Sequence, residues 1–102
     1  MRLTAPQAAQ ICHGAIHHFG ANTKVWLFGS RVDDHQRGGD IDLYIETGIA
    51  DAAAVVDARL CFLRALHLAL GEQKIDLVLR RSGSSIDLPI YHAAKAHGAR
   101  LL

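Results

Sequence analysis

At 102 residues, half of them hydrophobic and 21% charged, the chain has the length of one domain, residues 1–102, and enough apolar material to bury a modest core. That balance argues against a disordered segment and leaves no room for a second domain. The formal net charge is +1, with Lys and Arg spread along the chain, which gives no general basis for a nucleic-acid or membrane surface. No basic-then-apolar leader and no apolar run of bilayer length is present, so a soluble cytoplasmic protein is expected.

Taken in chain order, the first signal is Thr4-Ala-Pro-Gln, a capping-box spacing with Pro6 in the first turn, where a missing N–H does no harm. Ile11, Cys12, Ala15, Ile16 and Phe19 recur at helical spacing until Gly20 and Asn22, which predicts a helix over about 5–19. Lys24–Phe28 reads as a short apolar strand. Gly29 to Gly39 reads as loop, with room for a short turn of helix after Gly29-Ser30. Asp40–Glu46 is a second strand, broken by Thr47-Gly48. Asp51 caps a long helix to about Leu70, with Val56, Leu60, Leu63, His67 and Leu70 as its apolar stripe and Gly71 as its stop. Lys74–Leu79 is a third strand and Ser82–Ser85 a turn. Asp87 caps and Pro89 opens a last helix to about His97, ended by Gly98, and Ala99–Leu102 adds a short edge strand. The order helix, strand, strand, helix, strand, helix predicts an α+β domain: a mixed sheet of three or four strands with helices packed on it.

Within this pattern two aspartates stand one residue apart. Residues i and i+2 of a strand share a face, so Asp40 and Asp42 project together while Ile41, Leu43 and Ile45 face the packed side. Like charges held that close repel unless a cation or a shared proton lies between them. Asp76 sits in Lys-Ile-Asp-Leu-Val-Leu, where a carboxylate among core residues is costly unless paired or bound to a cation. If the two strands are neighbours, three carboxylates converge. Such oxygen clusters suit Mg²⁺, and two such ions can clamp the oxygens of a phosphoryl displacement. Solvated edge strands are the alternative for all three. Gly29-Ser30, at the end of a strand, fits the same site: glycine lets backbone approach a phosphate, Ser30 adds a donor, and Arg31 can neutralise phosphate charge.

Gly29-Ser30, then Gly39-Asp40-Ile41-Asp42-Leu43, then Asp76, resembles the nucleotidyltransferase superfamily typified by DNA polymerase β, and more narrowly the minimal nucleotidyltransferases, or MNT proteins, over essentially the whole chain. The resemblance implies the nucleotidyltransferase fold, with catalytic and metal-binding roles for Asp40, Asp42 and Asp76 toward two Mg²⁺ ions. It implies triphosphate binding by Gly29, Ser30 and Arg31, and transfer of a nucleoside monophosphate from ATP or another nucleoside triphosphate onto a hydroxyl. Gly39 departs from the polar residue common before the first aspartate, and Asp33, Asp34 and His35 make the loop acidic at its start. Minimal nucleotidyltransferases commonly pair with a small helical HEPN protein as a toxin–antitoxin system. The resemblance therefore implies an antitoxin that adenylylates or binds its HEPN-type partner. A catalytically silent nucleotide-binding antitoxin is the alternative. Nothing in the sequence decides whether the chain also self-associates, and no membrane or direct nucleic-acid binding is expected.

Other residues are read more plainly. Cys12 and Cys61 read as small core residues of a reducing compartment, not as a disulfide. Among seven histidines, His13 and His17 share a helical face, but no further ligand completes a zinc set. His67 reads as a core-edge residue, and His92 and His97 as a solvated or partner-facing surface. Arg80-Arg81 reads as a solvated strand end, with contact to phosphate as the lesser alternative, Glu46 as water-facing or tuning the site, and Trp26 and Phe28 as sheet packing.

Overall fold

The capping box forms as its spacing requires. In the computed structural model, which describes residues 3–29, 40–71 and 73–102, the Thr4 hydroxyl accepts from the Gln7 backbone N–H (3.2 Å) and the Gln7 side chain accepts from the Thr4 N–H (3.0 Å). This opens helix α1, Ala5–Phe19, which ends where the Gly20 N–H reaches the Ile16 carbonyl. Strands β1 (Lys24–Phe28) and β2 (Ile41–Glu46) follow, then α2 (Ala52–Leu70), β3 (Ile75–Arg80), α3 (Pro89–His97) and the short β4 (Ala99–Arg100). The sheet is four-stranded and mixed, in the order β3-β2-β1-β4. β1 runs antiparallel to β2 and β4, while β2 and β3 are parallel, with α2 as the crossover that a parallel pair needs.

Strand alternation divides the side chains between two layers. Val25, Leu27, Ile41, Leu43, Ile45 and Leu77 face α1 and α2, packing with Ile11, Ala15, Phe19, Phe62 and Leu66. On the opposite face Trp26 and Tyr44 pack with Tyr91 and Ala94 of α3. The three aromatic rings stack in a row, with 5.4 Å between successive centroids. Trp26 is thus sheet packing, as its alternation with Val25 and Leu27 indicates. The α+β class and the mixed sheet agree with the sequence reading. Among the described residues no helix is long and apolar enough to cross a membrane.

The structure corrects four expectations. The buried face of α2 carries Val55, Phe62 and Leu66. Of the expected stripe, Leu63 and Leu70 touch the core, but Val56, Leu60 and His67 are exposed. The helix is apolar on more than one side, so periodicity admits two faces, and the face bearing the bulky Phe62 is the one that buries most area. Cys61 is accordingly exposed, and only Cys12 is partly buried, its thiol donating to the Leu101 carbonyl. Asp87 does not cap α3; Leu88 holds that position without a side-chain bond. The Asp87 carboxylate turns instead to His92 Nε2 (2.7 Å) and Arg80 (3.6 Å), two cationic or polar partners in place of one backbone N–H. The last strand is two residues long, although Leu101 and Leu102 continue its backbone bonds to Val25.

Candidate functional site

β1 ends beside the middle of the acidic cluster. Phe28 is the register partner of Asp42, and Gly29 follows with φ +74°. A Cβ at Gly29 would overlap Asp42 Oδ2 and stand 3.1 Å from Asp42 Cγ. Glycine is needed there twice over, for the left-handed backbone and for the close approach of that backbone to a carboxylate.

Asp42 and Asp76 are register partners on the adjacent parallel strands β2 and β3. Both lie on the face opposite Leu43 and Leu77, which go to the core. Asp42 is half-buried and Asp76 exposed. Burial, then the charge of Asp76 and a hydrogen bond shared with it, then the charge of Asp40, push the Asp42 carboxyl above the usual carboxylate range; the Lys74 ammonium pulls the other way. Lys74 Nζ stands 3.9 Å from both Asp40 Oδ2 and Asp76 Oδ2. The structure therefore brings Asp40, Asp42 and Asp76 into one electrostatic neighbourhood, at the end of β1 where Gly29 lies. Ser30 and Arg31, expected to bind triphosphate, lie outside the described residues, as do Gly39 and the loop before it.

The chemistry of this donor set fits a hard divalent cation: carboxylate oxygens only, with a like-charge strain that a cation would relieve. Among the described residues no three acidic, imidazole or thiolate groups are gathered closely enough to ligate one ion together. What they offer is the Asp42–Asp76 pair, with Asp40 adjoining it through Lys74.

Lys74 is the group the sequence reading passed over, taking it only as the start of a strand. The signal was present, since it stands two residues before Asp76 and so shares its face. At the far end of the same strands a polar pocket is lined by Glu46, Thr47, Arg80, Arg81, Ser82 and Lys95. The Arg80 guanidinium lies over the Tyr91 ring at 5.0 Å, and Arg81 donates to the Ala50 carbonyl. Glu46 does not face water alone. It accepts from the Tyr44 hydroxyl (2.8 Å) and the Lys95 ammonium (3.2 Å). Burial works against its charge, but those two partners hold its carboxyl below the usual range. Between α1 and α2, His13, His17 and His18 line a pocket with Gly14, Ala65 and Leu66; burial and then the neighbouring His17 lower the pKa of His18.

No protein-family model and no curated protein matches this chain.

Proposed function

We propose that this chain is a Mg²⁺-dependent cytoplasmic nucleotidyltransferase, moving a nucleoside monophosphate, AMP by default, from a nucleoside triphosphate onto a hydroxyl. The observation that carries this reading is the register pairing of Asp42 with Asp76, with Asp40 adjoining and Gly29 pressed against the Asp42 carboxylate. It is supported by the order of these residues in the chain, which is that of the minimal nucleotidyltransferases.

Asp42 and Asp76, the register pair, are the residues that would hold the metal, and Asp40 joins them on the resemblance. Bound there, Mg²⁺ would polarise the phosphates and offset charge on the attacking and leaving oxygens. In the transfer a bond forms between the acceptor oxygen and the α-phosphorus, the bond from that phosphorus to the β-phosphate oxygen breaks, and pyrophosphate leaves. The acceptor proton passes to a carboxylate oxygen of Asp76, the exposed member of the pair. Gly29 admits the triphosphate to the backbone at the end of β1. Ser30 and Arg31 take part in that contact on the resemblance.

The acceptor we propose is a hydroxyl on a HEPN-type helical toxin, with this chain as its antitoxin. The test is intact-mass spectrometry of such a partner after incubation with the protein, ATP and Mg²⁺. A gain of one or more nucleoside-monophosphate masses, absent with Asp42→Asn, is the expected result. A stable complex with no mass gain would replace catalysis by the binding-only reading.

A further inference from the structure

The outer face of α2 presents a pattern that is complementary to itself. Around the helix, Ala53, Asp57, Leu60, Arg64 and Leu68 fall within about a quarter-turn of one another at 100° per residue, and all five are exposed. Leu60 is 62% and Leu68 79% exposed, with Val56 beside them at 55%. This side is diametrically opposite Val55, Phe62 and Leu66, which bury against the sheet and α1. Asp57 and Arg64 make no ion pair among the described residues.

We infer that this face binds a second copy of the same chain, α2 against α2, antiparallel about a two-fold axis. Reversing the helix about the midpoint between Leu60 and Cys61 sets Asp57 against Arg64 of the other copy, and Arg64 against Asp57. It sets Leu68 against Ala53, large against small, on both sides, and brings the two Leu60 side chains together at the axis. An isologous contact requires such matching of i with j and j with i. Charge complementarity therefore selects a second copy, because the pattern is satisfied by its own reverse. The apolar residues supply the contact area, and the two charge pairs fix direction and register.

Two helices of 19 residues, each roughly 28 Å long, meeting along one face bury less than the roughly 1,200–2,000 Å² of a stable interface. The contact accordingly belongs to the small, weak class of interfaces, with a concentration-dependent monomer–dimer equilibrium. The contact does not involve the Asp42–Asp76 face of the sheet, since α2 covers the other face.

Sedimentation equilibrium of the full chain across about 1–500 μM tests the pairing. A concentration-dependent dimer is expected. Asp57→Arg and Arg64→Asp should each weaken it about tenfold, because each turns both charge pairs into like-charge contacts. The double variant Asp57→Arg/Arg64→Asp should restore it, and Leu60→Glu should abolish it with the circular dichroism spectrum unchanged. A monomer throughout that range overturns the inference and leaves the stripe to a partner of other chemistry. A dimer whose affinity ignores all four variants overturns it equally, by placing the contact elsewhere.

Discussion

Phe62→Ala and Gly14→Ala together test how α2 sits on the rest of the molecule. Phe62 is fully buried, its ring edge-on to Phe19 at 5.2 Å between centroids. Removing it costs about 3–5 kcal/mol, a large fraction of the roughly 5–15 kcal/mol that holds a domain of this size folded. Gly14 of α1 faces the same ring, and a Cβ there would lie 3.2 and 3.3 Å from two ring carbons. In the wild-type background the gain of about 1 kcal/mol from replacing a mid-helix glycine by alanine is offset by that crowding, so Gly14→Ala is expected to change stability by less than about 0.5 kcal/mol. With Phe62→Ala the ring is gone, the helix gain is realised, and the new methyl fills part of the cavity. The coupling is therefore about 0.5–1.5 kcal/mol, with Gly14→Ala stabilising only in the truncated background. Urea unfolding of the four proteins, followed by circular dichroism at low protein concentration, measures it. Leu60→Ala serves as the control and is expected to stay within about 0.5 kcal/mol of wild type. A Leu60→Ala cost matching that of Phe62→Ala, or one Gly14→Ala effect in both backgrounds, would refute this placement of α2.

Other expectations concern the polar groups. Because the folded Asp42 carboxyl is raised, the native state binds more protons than the unfolded chain as pH rises from the ordinary carboxylate value to the raised one, and stability falls across that window. Asp42→Asn removes this loss: in chelator-treated buffer its urea midpoint should match wild type at the acid end of the window and exceed it near neutrality, and a variant less stable near neutrality would contradict the repulsion. Tyr44→Phe removes the hydroxyl that donates to the half-buried Glu46, a bond to a charged group worth about 1.5–3 kcal/mol. The Glu46 carboxyl should then titrate at higher pH by NMR; an unchanged titration would show that Lys95 alone sets it. Asp51→Ala removes the carboxylate that accepts from the Ala54 N–H (2.8 Å) at the start of α2 and should cost about 1 kcal/mol in the same urea assay.

The strands were the most legible part of the sequence. Alternation alone sends Ile41, Leu43 and Ile45 one way and Asp42 the other, and the i to i+2 rule carries Asp40 and Asp42 to a common face. The pairing of Asp42 with Asp76 was conditional on two strands being neighbours, and strand order is a long-range property that no local pattern states. The orientation of α2 was not legible because several of its faces are apolar, so the choice falls to whichever side chains the sheet accepts best. Asp87 misled for a similar reason. A capping residue and an ion-pair partner look alike in sequence, and only the fold brings Arg80 and His92 within reach of it. Lys74 was passed over because a lysine at a strand end is ordinary until its neighbours across the sheet are known.

The most direct measurement is a titration of the ¹⁵N-labelled protein with Mn²⁺, with and without ATP, read as paramagnetic broadening of its amide signals. If the carboxylates of Asp40, Asp42 and Asp76 hold the metal of a nucleotidyltransferase, the amides of Ile41–Leu43 and Ile75–Leu77 broaden first, ATP lowers the Mn²⁺ concentration needed, and Asp42→Asn abolishes both effects. Broadening confined to the His13–His18 segment of α1, or none at these strands with ATP present, would contradict the assignment of the site.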